Sequence, residues 1–439
     1  MKILLLTQVV PYPPDSGPKI KTYNVLRYLA RRHEVHLVSF ARSAKETASA
    51  RELEQICASV TTVPLRRSRL RDAAYLIRSF VSGRPFLIER DDSAPMHRAV
   101  ADLARRLDFD AVHADQLSMA QYAIDLPIPL RVLDEHNAVW TIVQRAASRD
   151  SFLPRRLLAN LEWRKLRAYE GGVCRRFDRV TVVSDEDRRG LELAAGAPLT
   201  AAVIPIAVDT DALAFRPRQD DARHVVSVAT MFYPPNAEGV LWFARDVFPR
   251  IRQRLTDVEF IVVGSRPPPS IRELAKPGTG VVVTGYVADL EPIFRRAAVT
   301  VVPLNAGSGM RVKILEAFSR GIPVVSTSVG VEGIDARPGE HLVVADDVES
   351  FARGVIDVIE DDALAGRLAG AARNLVVDRY DWRNALAGLD AIYPSPMASE
   401  RYATRVASEE TATCANADDV SAFRPVHDSR GPSTIVTGN

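Results

Sequence analysis

The sequence has few cysteines, little net charge and no long apolar run, and each absence excludes a class of protein. Its 439 residues include three cysteines, which are far apart and form no CxxC pair. This argues against a disulfide framework or a zinc site and suits a reducing compartment. The formal net charge of +2 gives no reason to expect nucleic acid as a partner. No stretch reaches the ~18 apolar residues of a membrane-spanning helix, so we expect a cytoplasmic globular protein.

Short apolar runs alternate with helix-like segments in two series along the chain. The first run, KILLLT (2–7), is predicted to be a buried strand rather than part of a signal peptide, which would have a longer apolar region. The runs are continuous in Val, Ile and Leu, as in parallel strands covered by helices on both faces. Strand–helix alternation predicts βαβ units. The predicted fold class is therefore α/β, with two doubly wound Rossmann-like domains.

Changes in composition predict the domain boundaries. Residues 204–223 are rich in Pro, Asp and Ala and show neither the helical nor the strand periodicity of apolar residues, so we interpret them as a linker. It would join an N-terminal domain, 1–203, to a C-terminal domain, 224–380. Residues 381–394 are predicted to form a C-terminal helix that packs back on the N-terminal domain. Residues 395–439 are polar, and we expect them to be disordered because they cannot bury enough apolar surface to offset ordering entropy.

Two Rossmann-like units first suggest a dinucleotide enzyme, but the sequence argues against it. The loops TQVVPYPPDSGPKI (7–20) and VATMFYPPN (228–236) contain no GxGxxG motif. The strand-like run HLVSFAR does not end in the acidic residue that would hold a ribose diol, and a P-loop is absent. We therefore predict no nicotinamide or other cofactor.

The stretch PLNAGSGMRVKILEAFSRGIPVVST carries the clearest ligand signal. Gly307 and Gly309 lie in a loop between a strand and a helix, where backbone N–H groups are unpaired and the helix dipole is positive. Arg311 and Lys313 add positive charge at the start of the helix, where the helix dipole alone would favour acidic side chains. An anionic ligand such as a diphosphate would resolve that conflict. Glu316, further along, could accept hydrogen bonds from a ribose, although an exposed helix with a Lys313–Glu316 pair is the structural alternative.

At this point the chain resembles the retaining GT-B glycosyltransferases of family 4, also called group 1, from Met1 to about Tyr393. The resemblance rests on the order and spacing of several segments: the first strand with its Pro/Gly loop, DAVHADQLSMAQYA, LDEHNAVW, VTVVSDEDR, VIPIAVDTD, TGYVADLEPIFRRAAVTVVPL and the stretch above. It implies two Rossmann-like domains facing a central cleft. It also implies transfer of a sugar from a nucleoside diphosphate sugar to a glycan or lipid-linked acceptor, in polysaccharide or glycolipid biosynthesis, with no metal required.

The resemblance also assigns donor contacts, with two departures. Many members carry two glutamates eight positions apart; the second, a ribose contact, matches Glu316, and the first is replaced by Ser308. A backbone N–H of Ser308, Gly309 or Met310 would then contact the sugar. The loop 230–236 also lacks the Arg and Lys that hold the diphosphate in many relatives.

Arg311 and Lys313 are our candidates to supply that missing charge, and we assign them a catalytic role because the leaving diphosphate needs stabilisation. On the N-terminal side, Gly17 and Pro18 are expected to face the cleft, with Lys19 as a phosphate or acceptor contact. His136 matches a histidine found near the donor sugar in relatives; its alternative is a structural hydrogen bond. The weaker candidates are His113, Asp115 and Glu135.

A basic amphipathic segment at 64–85 suggests a further partner. It mixes arginines with Leu, Ile, Tyr and Phe, a pattern typical of helices that lie on an anionic membrane. The alternative is a surface helix whose apolar face packs inward. The similar segment 154–177 is expected to pack into the core. The protein could therefore be peripheral on the inner face of the cytoplasmic membrane.

Two other functions stay open on the sequence alone. Ser308 and the missing cations of 230–236 allow a glycosyltransferase-like protein that has lost catalysis and serves as a binding or scaffold partner. A nucleotide-sugar epimerase of the same fold is the second alternative.

Overall fold

The computed structural model describes residues 1–149, 152–219, 221–307 and 309–394, which form two parallel sheets with helices on both faces. Ser308 and the predicted tail 395–439 lie outside the described residues. The strands are β1 Lys2–Thr7, β2 Glu34–Ala41, β3 Ser59–Pro64, β4 Ala111–Asp115, β5 Leu130–Glu135, β6 Arg179–Val182, β7 Ala201–Val203, β8 His224–Val228, β9 Glu259–Val263, β10 Val281–Gly285, β11 Ala297–Val302, β12 Val324–Ser326 and β13 Val343–Val344.

The helices alternate with these strands along most of the chain. They are α1 Gly17–Ala30, α2 Ala44–Ala50, α3 Arg69–Ser82, α4 Phe86–Arg90, α5 Ala94–Arg106, α6 Leu117–Ala123, α7 Val139–Arg149, α8 Leu153–Cys174, α9 Asp185–Ala195, α10 Pro234–Trp242, α11 Phe248–Arg254, α12 Pro269–Arg272, α13 Glu291–Arg295, α14 Val312–Arg320, α15 Ser328–Val331, α16 Val348–Glu360, α17 Asp362–Arg379 and α18 Trp382–Ala385. None of the helices in the described ranges has the length and apolar character needed to cross a bilayer.

Both sheets are doubly wound, as predicted. The first has the order β3-β2-β1-β4-β5-β6-β7 and the second β10-β9-β8-β11-β12-β13, with parallel pairing throughout. The strand order reverses between β1 and β4 in the first sheet and between β8 and β11 in the second. In open parallel sheets, ligands bind beyond the carboxyl ends of the strands at such a reversal. The topology therefore directs attention to the loops that follow β1, β4, β8 and β11.

Helix α14 shows how the sequence positions one of these loops. Its apolar residues recur every three or four positions, and Ile314, Leu315 and Phe318 are buried against the second sheet. The helix begins at Val312, so Arg311 is its N-cap residue and Lys313 lies in its first turn. It ends at Gly321, whose φ of 76° gives a left-handed cap. The loop before α14 is thereby held between β11 and a well-packed helix.

Residues 381–394 contain the one-turn helix α18 followed by a 3₁₀ helix at Leu386–Ala391. Trp382, Leu389 and Tyr393 are buried in the same core cluster as β1, β2 and α1. The last described residues of the chain therefore pack beneath the first sheet, on the side of α1.

The expectation that segment 154–177 packs into the core is wrong for its first half. Helix α8 buries Leu166, Val173 and Cys174, but its first turns expose Leu153, Leu157 and other apolar side chains.

Candidate active site

The loops at the carboxyl ends of the two sheets face each other across a narrow cleft. A Cβ atom added to Gly17, at the start of α1, would lie 3.6 Å from Cγ2 of Val312, at the start of α14. A Cβ atom added to Gly309 would lie only 2.0 Å from Oδ1 of Asn137. The first turns of α1 and α14 therefore meet in the cleft, and neither Ser16 nor Arg311 caps its helix with a side-chain hydrogen bond.

Two glycines allow the loop after β11 to reach this position. Gly307 has a φ of 119° and Gly309 a φ of 84°, conformations that other residues adopt only with strain. A Cβ atom at Gly307 would lie 2.8 Å from Nη2 of Arg311, so the guanidinium fills the space that glycine leaves. Nη1 of Arg311 donates to the carbonyl oxygen of Gly309 at 2.6 Å. Met310 is buried in the core beside them.

Lys313 and Arg311 form the positive side of the cleft. Nζ of Lys313 donates to Oδ1 of Asn236, a neutral partner at 3.4 Å. Burial, assisted by the charge of Arg311, lowers the pKa of Lys313 to about 7. Burial also lowers the pKa of Arg311. Folding thus places two cations where they are poorly solvated, which favours binding of an anion between the sheets.

Glu316 lies on the same helix, one turn after Lys313. Burial raises the pKa of its carboxyl, and the charge of Arg320 partly opposes this effect. No Lys313–Glu316 bond is present in the described structure, where the lysine bonds Asn236 instead. The structural alternative considered for these two residues therefore has no support here.

On the opposite wall, His136 is held by a buried carboxylate. Its Nε2 lies 2.9 Å from Oδ1 of Asp115, and because an ionised carboxylate only accepts, this bond places a proton on Nε2. Thr22 Oγ1 donates to the same carboxylate, at 3.0 Å from Oδ2. His136 follows β5 and Asp115 ends β4, so the sheet itself brings the two together. In the neutral ring, Nδ1 remains an acceptor.

A second buried network lies beneath His136. Nζ of Lys21 is 2.5 Å from Oδ1 of Asp134, and Thr181 donates to the same oxygen. Burial alone would raise the pKa of Asp134, but Lys21 and the nearby histidines hold it well below its usual range. Nδ1 of His113 lies 2.7 Å from the hydroxyl of Tyr393. Lys21 thus neutralises a buried carboxylate of the site.

The same network contains the one grouping of described residues with metal-ligand spacing. Ligand atoms of His113, Asp115 and Asp134 lie within 4.8 Å of one another. The ammonium group of Lys21 already bonds Asp134, and Thr22 bonds Asp115. A divalent cation would have to compete with a fixed positive charge, so independence of metal stays our prediction.

The loop that carries His136 is held by acids on neighbouring helices. Glu170 of α8 accepts the N–H groups of Val139 and Trp140 at 2.7 and 3.0 Å, and Asp187 of α9 accepts that of Ala138. These bonds satisfy the first N–H groups of α7. Glu135 is different: it is buried, and burial together with Glu170 raises its pKa well above the usual range. Glu135 therefore faces the core rather than the cleft network, and we assign it no role.

The structure brings six of the predicted site residues to the loops and helix starts that meet in the cleft: Gly17, His136, Gly307, Gly309, Met310 and Arg311. Ser308 lies outside the described residues. Lys19 pairs with Asp15 at 3.1 Å at the start of α1. Sequence reasoning missed Lys21, Asn137, Tyr393 and Arg145 of α7, which donates to the carbonyl oxygen of Gly307 at 3.0 Å. Lys21 stands four positions before Val25 and seven before Tyr28, on the buried face of α1, and this spacing could have indicated it. Arg145 is one of several arginines in its segment, and no local pattern distinguishes it.

Family models match most of the chain: one described as glycosyltransferase family 4 matches residues 17–212, and one described as glycosyl transferases group 1 matches residues 222–361. The chain belongs to this glycosyltransferase family. It is 22% identical over 395 residues to a 44.6 kDa protein in the cps region of Klebsiella pneumoniae, covering 87% of this chain and 96% of that one. It is 30% identical over 221 residues to the phosphatidyl-myo-inositol mannosyltransferase of Mycobacterium tuberculosis, covering 46% of this chain and 55% of the relative.

Solved structures show the same fold. HepE from Anabaena, solved with UDP and glucose, has a TM-score of 0.61 at 17% identity and covers 90% of this chain and 99% of its own. WaaG, a glycosyltransferase involved in lipopolysaccharide biosynthesis, has a TM-score of 0.62 at 13% identity and covers 90% of this chain and 100% of its own. The predicted family, GT-B fold and transferase class of this glycosyltransferase are confirmed.

Proposed function

We propose that this glycosyltransferase retains the anomeric configuration and transfers a sugar from a nucleoside diphosphate sugar to a hydroxyl of a glycan or lipid-linked acceptor. The bond between the anomeric carbon and the diphosphate oxygen breaks, and a bond to the acceptor oxygen forms. The departing diphosphate keeps the electron pair of the broken bond, takes the proton of the acceptor hydroxyl and leaves as the nucleoside diphosphate. Relatives in a cps region and in lipid mannosylation support a place in polysaccharide or glycolipid biosynthesis.

The observation that carries this proposal is the meeting of two helix N-termini beside two half-buried cations. The start of α1 at Gly17 contacts the start of α14 at Val312, and Arg311 and Lys313 flank that point. Helix N-termini and cations both stabilise anions, and the charge on a departing diphosphate grows in the transition state. In this arrangement Glu316 would bind the ribose, and His136 would accept a hydrogen bond from the sugar.

A panel of nucleoside diphosphate sugars tests the proposal directly. The protein is incubated with UDP-, GDP- and other donors, with and without lipid-linked acceptors, and products are analysed by mass spectrometry and by the NMR coupling of the anomeric proton. We expect acceptor-dependent release of one nucleoside diphosphate and a product with the donor's anomeric configuration. Inverted product would contradict retention. Donor isomerisation without acceptor would indicate an epimerase, and binding without turnover would indicate a scaffold.

We also propose that the enzyme acts at the inner face of the cytoplasmic membrane, through a surface made by α3 and the first half of α8. Of the residues of α3, all of which are described, Ser79 alone is buried, and Leu70 and Val81 are each 86% exposed. Nζ of Lys165 in α8 donates to the carbonyl oxygen of Ser79 at 2.8 Å, which joins the two helices. This α3–α8 surface exposes Leu70, Ile77, Phe80, Val81, Leu153, Leu157, Leu158 and Leu161 among Arg66, Arg69, Arg71, Arg155 and Arg156.

Arginines around exposed apolar side chains fit an anionic bilayer better than a neutral surface, because each cation near such a membrane contributes about 1 kcal/mol. We expect the protein to sediment with vesicles that contain phosphatidylglycerol, and to do so less as salt is raised. Replacing Arg69 and Arg71 together by Glu should weaken binding at least about tenfold, while Arg295→Glu, on the other domain, should not. Equal binding to neutral and anionic vesicles would contradict this proposal.

A further inference from the structure

An ion pair crosses the cleft beside the candidate diphosphate site. Arg145 lies in α7, two turns after the loop that carries His136. Its Nη1 donates to the carbonyl oxygen of Gly307 at 3.0 Å, and its Nη1 and Nη2 donate to the two carboxylate oxygens of Glu332 at 3.1 Å each. Glu332 follows α15 on the opposite wall. The guanidinium of Arg145 therefore binds the Glu332 carboxylate in a bidentate manner.

This ion pair shares its surroundings with Arg311. Gly307, whose carbonyl Arg145 binds, is also the residue whose missing side chain makes room for Nη2 of Arg311. Glu332 acts on both arginines. Burial has the largest effect on the pKa of Arg311 and lowers it; Tyr233 and then the charge of Glu332 raise it, and the charge of Arg145 lowers it. One carboxylate thus serves as counter-ion at the point where the two walls bring two guanidinium groups together.

We propose that Arg145 belongs to the donor site and that the donor's diphosphate displaces the Glu332 carboxylate from it on binding. This inference rests on the proposed function, because it assigns the ligand of the same cleft. A carboxylate and a phosphate present paired oxygens to a guanidinium in the same bidentate geometry, so one can replace the other. Side-chain exposures of 46% for Arg145 and 27% for Glu332 leave room for the exchange.

The exchange would make Arg145 a contribution of the N-terminal wall to the diphosphate site. Arg311 and Lys313 belong to the C-terminal wall, so a diphosphate held from both sides would also hold the cleft closed. Glu332 would compete with the donor for the same cation and would keep the pair of arginines neutralised until donor arrives. The two partners of one ion pair would therefore have opposite effects on donor affinity.

That opposition separates the proposal from a plain structural ion pair. Binding of UDP and GDP to the full chain is measured by isothermal titration for the wild type, Arg145→Ala, Arg145→Lys and Glu332→Gln. Arg145→Ala should weaken binding of the accepted nucleotide by roughly 10-fold to 100-fold, the loss of charged hydrogen bonds. Arg145→Lys should lose less affinity, because lysine keeps the positive charge but cannot form the bidentate pair of hydrogen bonds. Glu332→Gln should tighten binding about threefold or more, because a competing charge is removed.

If the Arg145–Glu332 ion pair only holds the two walls together, both substitutions break the same contact and should change nucleotide affinity in the same direction. Equal shifts of the same sign in Arg145→Ala and Glu332→Gln would overturn the proposal, as would unchanged binding in Arg145→Ala. Arg188→Ala, on the exposed face of α9, serves as the control and should match the wild type. Thermal unfolding of each variant checks that the fold is kept. If the wild type binds no nucleoside diphosphate and consumes no nucleotide sugar, the proposed function itself fails.

Discussion

The two walls of the cleft solve the problem of buried charge in opposite ways. On the N-terminal wall, charges are paired within the protein, as in the 2.9 Å bond between His136 and Asp115. On the C-terminal wall, Arg311 binds a backbone carbonyl and Lys313 a side-chain amide, Asn236, at 3.4 Å. Folding alone completes the first wall. On the second wall the charge of Glu332 acts on Arg311, but Lys313 bonds a neutral amide, and burial disfavours its charged form. In our proposal the diphosphate of the donor supplies the counter-charge for this lysine. The first is thus a positioning wall and the second a binding wall.

Removing a cation from the binding wall should have the largest effect. Arg311→Ala deletes a charge at the proposed diphosphate site, and we expect kcat to fall about 10²-fold to 10³-fold, the usual loss for one charge-stabilising donor. Steady-state kinetics with the accepted donor measure it. Arg295→Ala, at the opposite end of the second sheet, is the matched control. Near-wild-type turnover in Arg311→Ala would remove the role that we assign to this residue.

Breaking the positioning wall should cost less. In Asp115→Asn, the amide oxygen can still accept from Nε2 of His136, but the negative charge that fixes the ring is lost. We expect kcat to fall about 10-fold to 100-fold, as for other carboxylates that orient a functional histidine, with the donor KM changed less than threefold. A variant in which KM rises and kcat is unchanged would place Asp115 and His136 in binding rather than in positioning.

The two walls also differ in how far the sequence predicted them. Gly307, Gly309, Arg311 and Lys313 lie within seven positions, so a strand–loop–helix pattern was enough to predict that they lie together. The positioning wall is assembled from β4, β5, α1 and the C-terminal segment, and only the parallel pairing of strands brings them together. Tyr393, whose hydroxyl is 2.7 Å from His113, lies 280 positions away from it. Local periodicity carries no information about a contact of that kind.

The reduced pKa of Lys313 gives the binding wall a pH dependence near neutrality. Burial, with help from Arg311, sets that pKa at about 7 in the free enzyme, so the lysine is charged below pH 7 and loses its charge above it. A bound diphosphate favours the charged form. Affinity for the nucleoside diphosphate should therefore decline from pH 7 to 9, by up to about tenfold for each pKa unit by which binding raises the lysine.

Lys313→Arg supplies the control for this decline, since arginine stays charged throughout the range. Isothermal titration at pH 7, 8 and 9 should give a flat profile for this variant and a falling one for the wild type. Titration above pH 7 also avoids the second ionisation of the terminal phosphate, near pH 6. If the two proteins decline in parallel, the titrating group lies elsewhere.

Chelation should have the smallest effect, and it probes the positioning wall. His113, Asp115 and Asp134 have the spacing of metal ligands, but Lys21 lies 2.5 Å from Asp134 and supplies the positive charge that a cation would bring. Activity should therefore be unchanged in excess EDTA and should not rise when Mg²⁺ or Mn²⁺ is added. Lys21→Met, which removes the built-in charge, tests the reason. If the ammonium group of Lys21 takes the place of a metal ion, this variant should be less stable than the wild type. A divalent metal ion should then restore part of the lost stability, measured as a rise in Tm. A wild-type enzyme that loses activity in EDTA would show instead that Lys21 leaves room for a metal.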